Sequence, residues 1–208
     1  MKKAVAWGLA VILCLSMLCG CSSEKGIEDP VELAMEQLGR PTAEAYRNMG
    51  LLGDPKKASE LFYLYARDGA DILGKRLNVA IVHVGGMKKS DKLTEMRTES
   101  IEYSAQLHGD YGYVLKLYQA LRETYGEAET FSSALPFSEA TVESLEASSY
   151  EKRYAGLWKK DGREIELDAY GFSESYPDEK GYVTLDVRIP IEDLNLPPIY
   201  ADDGTRIR

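Results

Sequence analysis

Between Arg163 and Tyr170 the chain alternates without a break, with Ile165, Leu167 and Ala169 on one side and Glu164, Glu166 and Asp168 on the other. Tyr182 to Ile189 repeats the pattern. Val183, Leu185, Val187 and Ile189 face inward, and Thr184, Asp186 and Arg188 face outward. Successive strand residues point to opposite faces, so this period of two marks an antiparallel sheet with one apolar and one wet face. Asp161-Gly162 supplies a hairpin turn between the first of these strands and a preceding one over Tyr150 to Lys159. Pro190 stops the last strand.

The helical signals lie earlier in the chain. Asp110 to Tyr125 carries Val114, Leu117, Tyr118, Leu121 and Tyr125 at helical spacing, with Asp110 as the expected cap and Gly126 as the stop. Asp29-Pro30 opens another helix through Val31, Ala34, Met35 and Leu38, closed by Gly39. Thr42 is the expected cap of a third, through Ala45, Tyr46 and Met49 to Gly50. Further strands are expected over Leu61–Tyr65, Leu77–Val84 and Leu93–Tyr103, although Asp54-Pro55 could instead start a helix reaching Ala66. Gly85-Gly86 and Lys88 to Asp91 read as a turn region. Glu127 to Ser149 reads as a polar connection with a short helix after a Ser138 cap.

Composition narrows the chemistry. Cys14, Cys19 and Cys21 are the three cysteines, so the chain after Cys21 holds no disulfide, thiolate metal site or cysteine nucleophile. Formal charge is −9, and −11 once Lys2 and Lys3 are set aside, which argues against a nucleic-acid partner. The same charge rules against reading the first two helices as a DNA-binding pair. Fourteen tyrosines against four phenylalanines lean toward amphipathic aromatics, which serve half-buried core positions and binding faces alike.

The first residues carry an address. Lys2 and Lys3 precede an uncharged apolar run from Ala4 to Gly20, the plan of a secretory signal, for which an uncleaved membrane helix is the competing reading. The run ends in Leu18-Cys19-Gly20-Cys21, which resembles the lipobox of bacterial lipoproteins; Cys19 departs from the Ala or Ser usual at its position. The resemblance implies a signal peptide over 1–20, recognised through Leu18, Cys19 and Gly20. It also implies a diacylglyceryl group on Cys21, with palmitate as a representative acyl chain. The protein would then be exported and lipid-anchored to the cell membrane, the outer membrane where the host has one. Two or more acyl chains hold firmly, at about 0.8 kcal/mol per buried methylene. Residues 21–28 form the lipidated cysteine and a short tether, of which the seven residues Ser22 to Glu28 reach at most ~25 Å.

Taken together, the chain is α+β. A single domain over 29–190 consists of two helix-then-three-strand units, about 29–106 and 107–190, with helices on one face of an antiparallel sheet; 191–208 is an extended tail. Leu38-Gly39-Arg40-Pro41 with Met49-Gly50-Leu51 in the first unit, and Leu121 to Gly126, Trp158, Asp161-Gly162 and Ile165/Leu167 in the second, carry a resemblance to a known fold. It is the tandem α–β repeat fold of β-lactamase inhibitor protein-like exported proteins. It is also similar to the small lipoproteins of outer-membrane barrel assembly. That resemblance implies an open sheet face that binds another protein, and it assigns no contact residue.

No catalytic set emerges. His83 lies in an apolar strand and His108 in a loop, and two histidines fall short of the three or four ligands of zinc. Asp161-x-Arg163 lacks the further acids of a calcium loop. Glu164, Glu166 and Asp168 could meet a cation or a basic partner, but a solvated strand face explains them as well. No metal, cofactor or enzyme activity is expected. The reading is a non-enzymatic protein-binding module of the cell envelope. A small-molecule or glycan-binding lipoprotein, and then a hydrolase with an unrecognised site, are the alternatives.

Overall fold

The computed structural model describes residues 26–51, 56–57, 63–83, 94–172 and 181–194, with backbone alone at 56–57, 63–68 and 191. The lipobox, Gly85-Gly86, Lys88 to Asp91 and the chain beyond 194 lie outside these residues. Helices α1 (Glu28–Gln37) and α2 (Thr42–Asn48) lead into strands β1 (Lys56–Lys57), β2 (Tyr63–Ile72), β3 (Lys75–Val82) and β4 (Ser100–Gln106). Helices α3 (Tyr111–Tyr125) and α4 (Val142–Glu146) lead into β5 (Tyr154–Lys160), β6 (Arg163–Tyr170) and β7 (Tyr182–Arg188). The fold is α+β, helices then strands, twice over.

All strands join one antiparallel sheet in the order β1-β2-β3-β4-β7-β6-β5. The two units therefore meet through their last strands, β4 against β7, in an unbroken register from Ser100↔Arg188 to Gln106↔Tyr182. One face of the sheet is apolar. Val79, Tyr103, Leu185 and Leu167 form one row across it, and Ile81, Ile101, Val187, Ile165 and Trp158 the next. All are buried, and all the helices pack on this side. Val114, Leu117 and Leu121 of α3, Val31 and Ala34 of α1, Ala45 of α2 and Leu145 of α4 enter the same core.

Three core aromatics place their polar tips on backbone carbonyls. Tyr103 donates to Pro30 O at 2.8 Å, Tyr113 to Ile72 O at 3.1 Å and Trp158 Nε1 to Gly126 O at 2.8 Å. Each bond ties a helix end to the sheet while its ring stays in apolar surroundings. Tyr118 stacks on Phe137 with centroids 5.2 Å apart, and Tyr154 closes on the other side of Phe137 at 5.8 Å. Most of the described tyrosines are thus core residues.

Several boundaries differ from the sequence expectation, each for a local reason. Glu28 opens α1, because Ile27 is buried and fixes the entry of the chain; Asp29 then lies inside the first turn, where its charge favours the helix dipole. Thr42 does not cap α2. Pro41 takes that position, and the buried Thr42 hydroxyl donates to Met96 O at 3.3 Å. Ser138 lies in a 3-10 turn, and the cap of α4 is Thr141, in a reciprocal box with Ser144 at 3.1 and 2.9 Å. Asp110 sits before α3 without a side-chain cap bond, its carboxylate accepting from Lys75 Nζ at 3.1 Å.

The strand expected from Leu93 starts at Ser100, because the residues before it strap the α1–α2 loop. Thr98 O accepts from Gly39 N at 2.8 Å, and Met96 O from Thr42 N at 2.9 Å. The strand expected from Tyr150 starts at Tyr154, after a 3-10 turn capped by Ser149. The ambiguous segment resolves as strand from Tyr63, which pairs with Val82.

Gly171 is fixed by space. A Cβ there would lie 2.2 Å from Glu146 O and 2.5 Å from Leu145 O, at the end of α4. Gly112, early in α3, has nothing within 4 Å of the same position. Gly171→Ala should cost on the order of 2–4 kcal/mol, whereas Gly112→Ala should gain about 0.5 kcal/mol. Urea unfolding of the two variants checks the pair.

Candidate functional site

The face of the sheet opposite the helices is polar, and its side chains stand in rows across the strands. Ser100, Arg188, Glu164 and Lys159 form one row; Glu102, Asp186 and Glu166 the next; Ser104, Thr184 and Asp168 a third. Gln106, Tyr182 and Tyr170 form a fourth at one end. Two of the three acids expected on a solvated face are buried, Glu164 and Glu166 at 7% and 8% exposure, while Asp168 is half-buried. Paired strands flank Glu164 and Glu166 on both sides, and Arg188 beside them makes the burial tolerable.

Arg188 is the centre of this face. Its Nε lies 2.9 Å from Glu164 Oε2, and its Nη1 meets Glu166 Oε2 and lies 3.3 Å from Asp186 Oδ2. Ser100 donates to the other oxygen of Asp186. Burial works against the guanidinium charge, but Glu166, Asp186 and Glu164 outweigh it and raise its pKa. A second pair, Arg153 Nε to Asp168 Oδ1 at 2.5 Å, stands at the edge. Five carboxyl groups therefore face two arginines.

Below about pH 7 the imbalance is met by protons. Burial raises the Glu166 carboxyl to about 7, helped by its hydrogen bond and repulsion with Asp168, against the pull of Arg188. Burial and the Asp186 charge raise Glu102 to about 7, with the Ser104 hydroxyl opposing. Burial raises Asp186 as well. The unfolded chain gives up the protons of Glu102 and Glu166 near 4.5, while the folded chain keeps them to about 7. Their stabilising contribution is full below pH 4.5 and is lost as the pH climbs through 7.

An aromatic corner adjoins the fourth row. The rings of Tyr170 and Tyr182 stack 6.1 Å apart, and Tyr150 meets Tyr170 edge-on at 5.5 Å. Tyr150 is 53% exposed, Phe172 43% and Leu135 40%. Tyr150 and Phe172 are backbone neighbours, Tyr150 N donating to Phe172 O at 2.9 Å, while Leu135 N donates to Arg153 O at 2.9 Å beside β5. The Arg153 guanidinium lies 5.8 Å from the Tyr150 ring centroid. Sequence order hides this convergence, because its members come from separate segments.

The other candidates disperse. His83 is buried just past β3, its Nε2 3.3 Å from the Thr42 hydroxyl, and His108 stands in the β4–α3 turn with φ +50°. A cavity of about 350 Å³ beside that turn is lined by Leu73, Lys75, Asp110, Tyr113 and Lys116, without either histidine. Among the described residues no group of three or more His, Cys, Asp or Glu side chains is placed to hold a metal ion, and no helix is long and apolar enough to cross a membrane. Leu18, Cys19, Gly20 and Cys21 lie outside the described residues.

The chain matches no protein-family model, no curated protein and no solved structure. The site therefore speaks through its own chemistry.

Two measurements check the polar face. Arg188→Met leaves Glu164, Glu166 and Asp186 without their cation and should cost about 3–5 kcal/mol. A tenfold change in proton affinity is worth about 1.4 kcal/mol. The folded chain should therefore lose on the order of 2–4 kcal/mol between pH 5 and pH 8 through Glu102 and Glu166. Glu102→Gln with Glu166→Gln, which mimic the protonated groups, should flatten that slope in urea titrations; an unchanged slope would place the protons elsewhere.

Proposed function

We propose that the chain is an exported bacterial lipoprotein, anchored to the cell membrane through a diacylglyceryl group on Cys21. Its α+β domain acts as a non-enzymatic module that binds another protein of the cell envelope. The observation that carries the anchor is Leu18-Cys19-Gly20-Cys21 at the end of an apolar run behind Lys2 and Lys3. The binding role is supported by the exposed neighbours Tyr150 and Phe172, with the Arg153 guanidinium over the Tyr150 ring. Tyr and Arg are the residue types that concentrate binding energy at protein interfaces. An apolar group left in water on a folded surface costs free energy that a partner would recover.

A second reading, a glycan-binding lipoprotein, has one observation in its favour: Tyr150, Tyr170 and Tyr182 form a row of rings that sugars could stack on. Against it, Tyr46, Tyr103, Tyr111, Tyr113, Tyr118 and Tyr154 are buried in the core, so the abundance of tyrosine is mainly structural.

Cys21→Ala tests the anchor. The wild-type chain should incorporate labelled palmitate and sediment with membranes after a salt wash, and the variant should do neither. A variant that still sediments after alkaline extraction would point to an uncleaved membrane helix. The full chain as bait in cross-linked envelope should enrich one protein over a Tyr150→Ser, Phe172→Ser double variant. Repeated blank captures would sink the binding module.

A further inference from the structure

The exposed aromatic corner and the acidic face are neighbours on one surface. From the row of Tyr170 and Tyr182 to Asp168 is one step of two residues along a strand, and to Glu102, Asp186 and Glu166 two steps, about 14 Å. An extended segment of about five residues covers that distance. At one end it would meet Phe172 and Tyr150; at the other it would meet the carboxyls of Asp168, Asp186 and Glu102.

Among the described side chains in and beside β4, β5, β6 and β7 on this face, acids outnumber bases. Glu102, Glu164, Glu166, Asp168 and Asp186 stand against Arg153, Arg188 and Lys159, and both arginines already serve carboxylates at 2.5 to 3.3 Å. Lys159, in line with Glu164, is held outward by Glu129 at 3.1 Å. Ala80 of β3 and Asp186 of β7 flank Glu102, and among the described side chains of these strands no cation is directed at it. A partner with basic groups there would supply the missing charge, and an acidic one would add repulsion.

On these two independent grounds, exposed apolar side chains and unbalanced charge beside them, we infer that the helix-free face docks a basic, apolar-ended segment of a partner protein. Its apolar or aromatic end covers Tyr150 and Phe172, and its lysines or arginines lie over Asp168, Asp186 and Glu102. The inference rests on the binding-module reading above and gives that module the chemistry of its partner. The apolar end provides the desolvated anchor, and the basic groups set orientation and speed of encounter.

Three fluorescent dodecapeptides test it, with Leu and Phe at alternate positions and Lys, Ser or Glu at the others. Each is titrated by anisotropy against the full chain in uncharged lipid nanodiscs at pH 8, with empty nanodiscs as blank. The Lys peptide should bind at least tenfold more tightly than the Ser peptide, and the Glu peptide not at all. Its affinity should fall about tenfold between 50 and 300 mM salt, as expected where exposed charges are screened. Glu102→Gln should weaken the Lys peptide severalfold without changing the Ser peptide, and Phe172→Ser with Tyr150→Ser should weaken both. Glu123→Gln, on the exposed side of α3, should change nothing, and thermal unfolding confirms that each variant is folded.

Equal losses from Glu123→Gln and Glu102→Gln would reduce the binding to general attraction by an acidic protein and overturn the proposal. A Ser or Glu peptide that binds best, and is lost with Phe172→Ser, would keep the corner as a binding site and overturn the basic partner. Absence of binding by every peptide would overturn the proposal too. If the envelope capture were then also unaffected by the corner variants, the binding module itself would fall.

Discussion

The pairing of β4 with β7 is the constraint on which the rest of the molecule depends. Each unit alone is a short meander with a helix layer on one side, and the last strand of each would present a free edge. The seven register pairs between Ser100↔Arg188 and Gln106↔Tyr182 close both edges at once. They also make the apolar rows continuous, so that Tyr103 from one unit and Leu185 and Leu167 from the other lie side by side under the helices. The same pairing sets Glu102 beside Asp186 and Ser100 beside Arg188 on the opposite face. Core and polar cluster are two sides of one seam.

That seam explains why a polar face carries buried charge. Its central positions are flanked by paired strands on both sides, so side chains there lose water even though none of the described helices packs above them. Arg188 offsets the cost for Glu164 and Glu166, and protons offset what Arg188 cannot. An uncompensated carboxylate at such a position would be strongly destabilising. The cluster therefore reads first as a structural solution and second as a source of negative field at the surface.

Much of this architecture was legible in sequence order. The alternation of Ile165, Leu167 and Ala169 against Glu164, Glu166 and Asp168 placed β6 and its faces correctly, and Asp161-Gly162 marked its hairpin through two residues with positive φ. The spacing of Val114, Leu117, Tyr118 and Leu121 placed α3. What sequence order hides is lateral. Alternation says that Glu164 and Glu166 point away from the core, yet their burial comes from β7, whose Arg188 is 24 residues from Glu164. The Leu73-Gly74 hairpin escaped because leucine seldom takes φ +49°, and tertiary pairing of β2 with β3 imposes it. The exposed corner escaped because Tyr150 and Phe172 become neighbours through a backbone bond between irregular segments. Irregular segments carry no period to read.

The outer margins of the sheet carry a consequence for the crowding of like molecules. Glu129 and Leu135 bridge onto β5 at Leu157 and Tyr154, so the backbone of that margin is already engaged. The opposite margin is a strand of two lysines, Lys56-Lys57. Covered backbone at one end and paired like charges at the other are ways of denying a sheet the means to grow. Proteins confined to a membrane surface meet their own copies far more often than proteins free in a volume. On the proposed anchor, the covered margin at β5 and the two lysines at β1 work against sheet-to-sheet pairing between copies crowded in the plane of the bilayer.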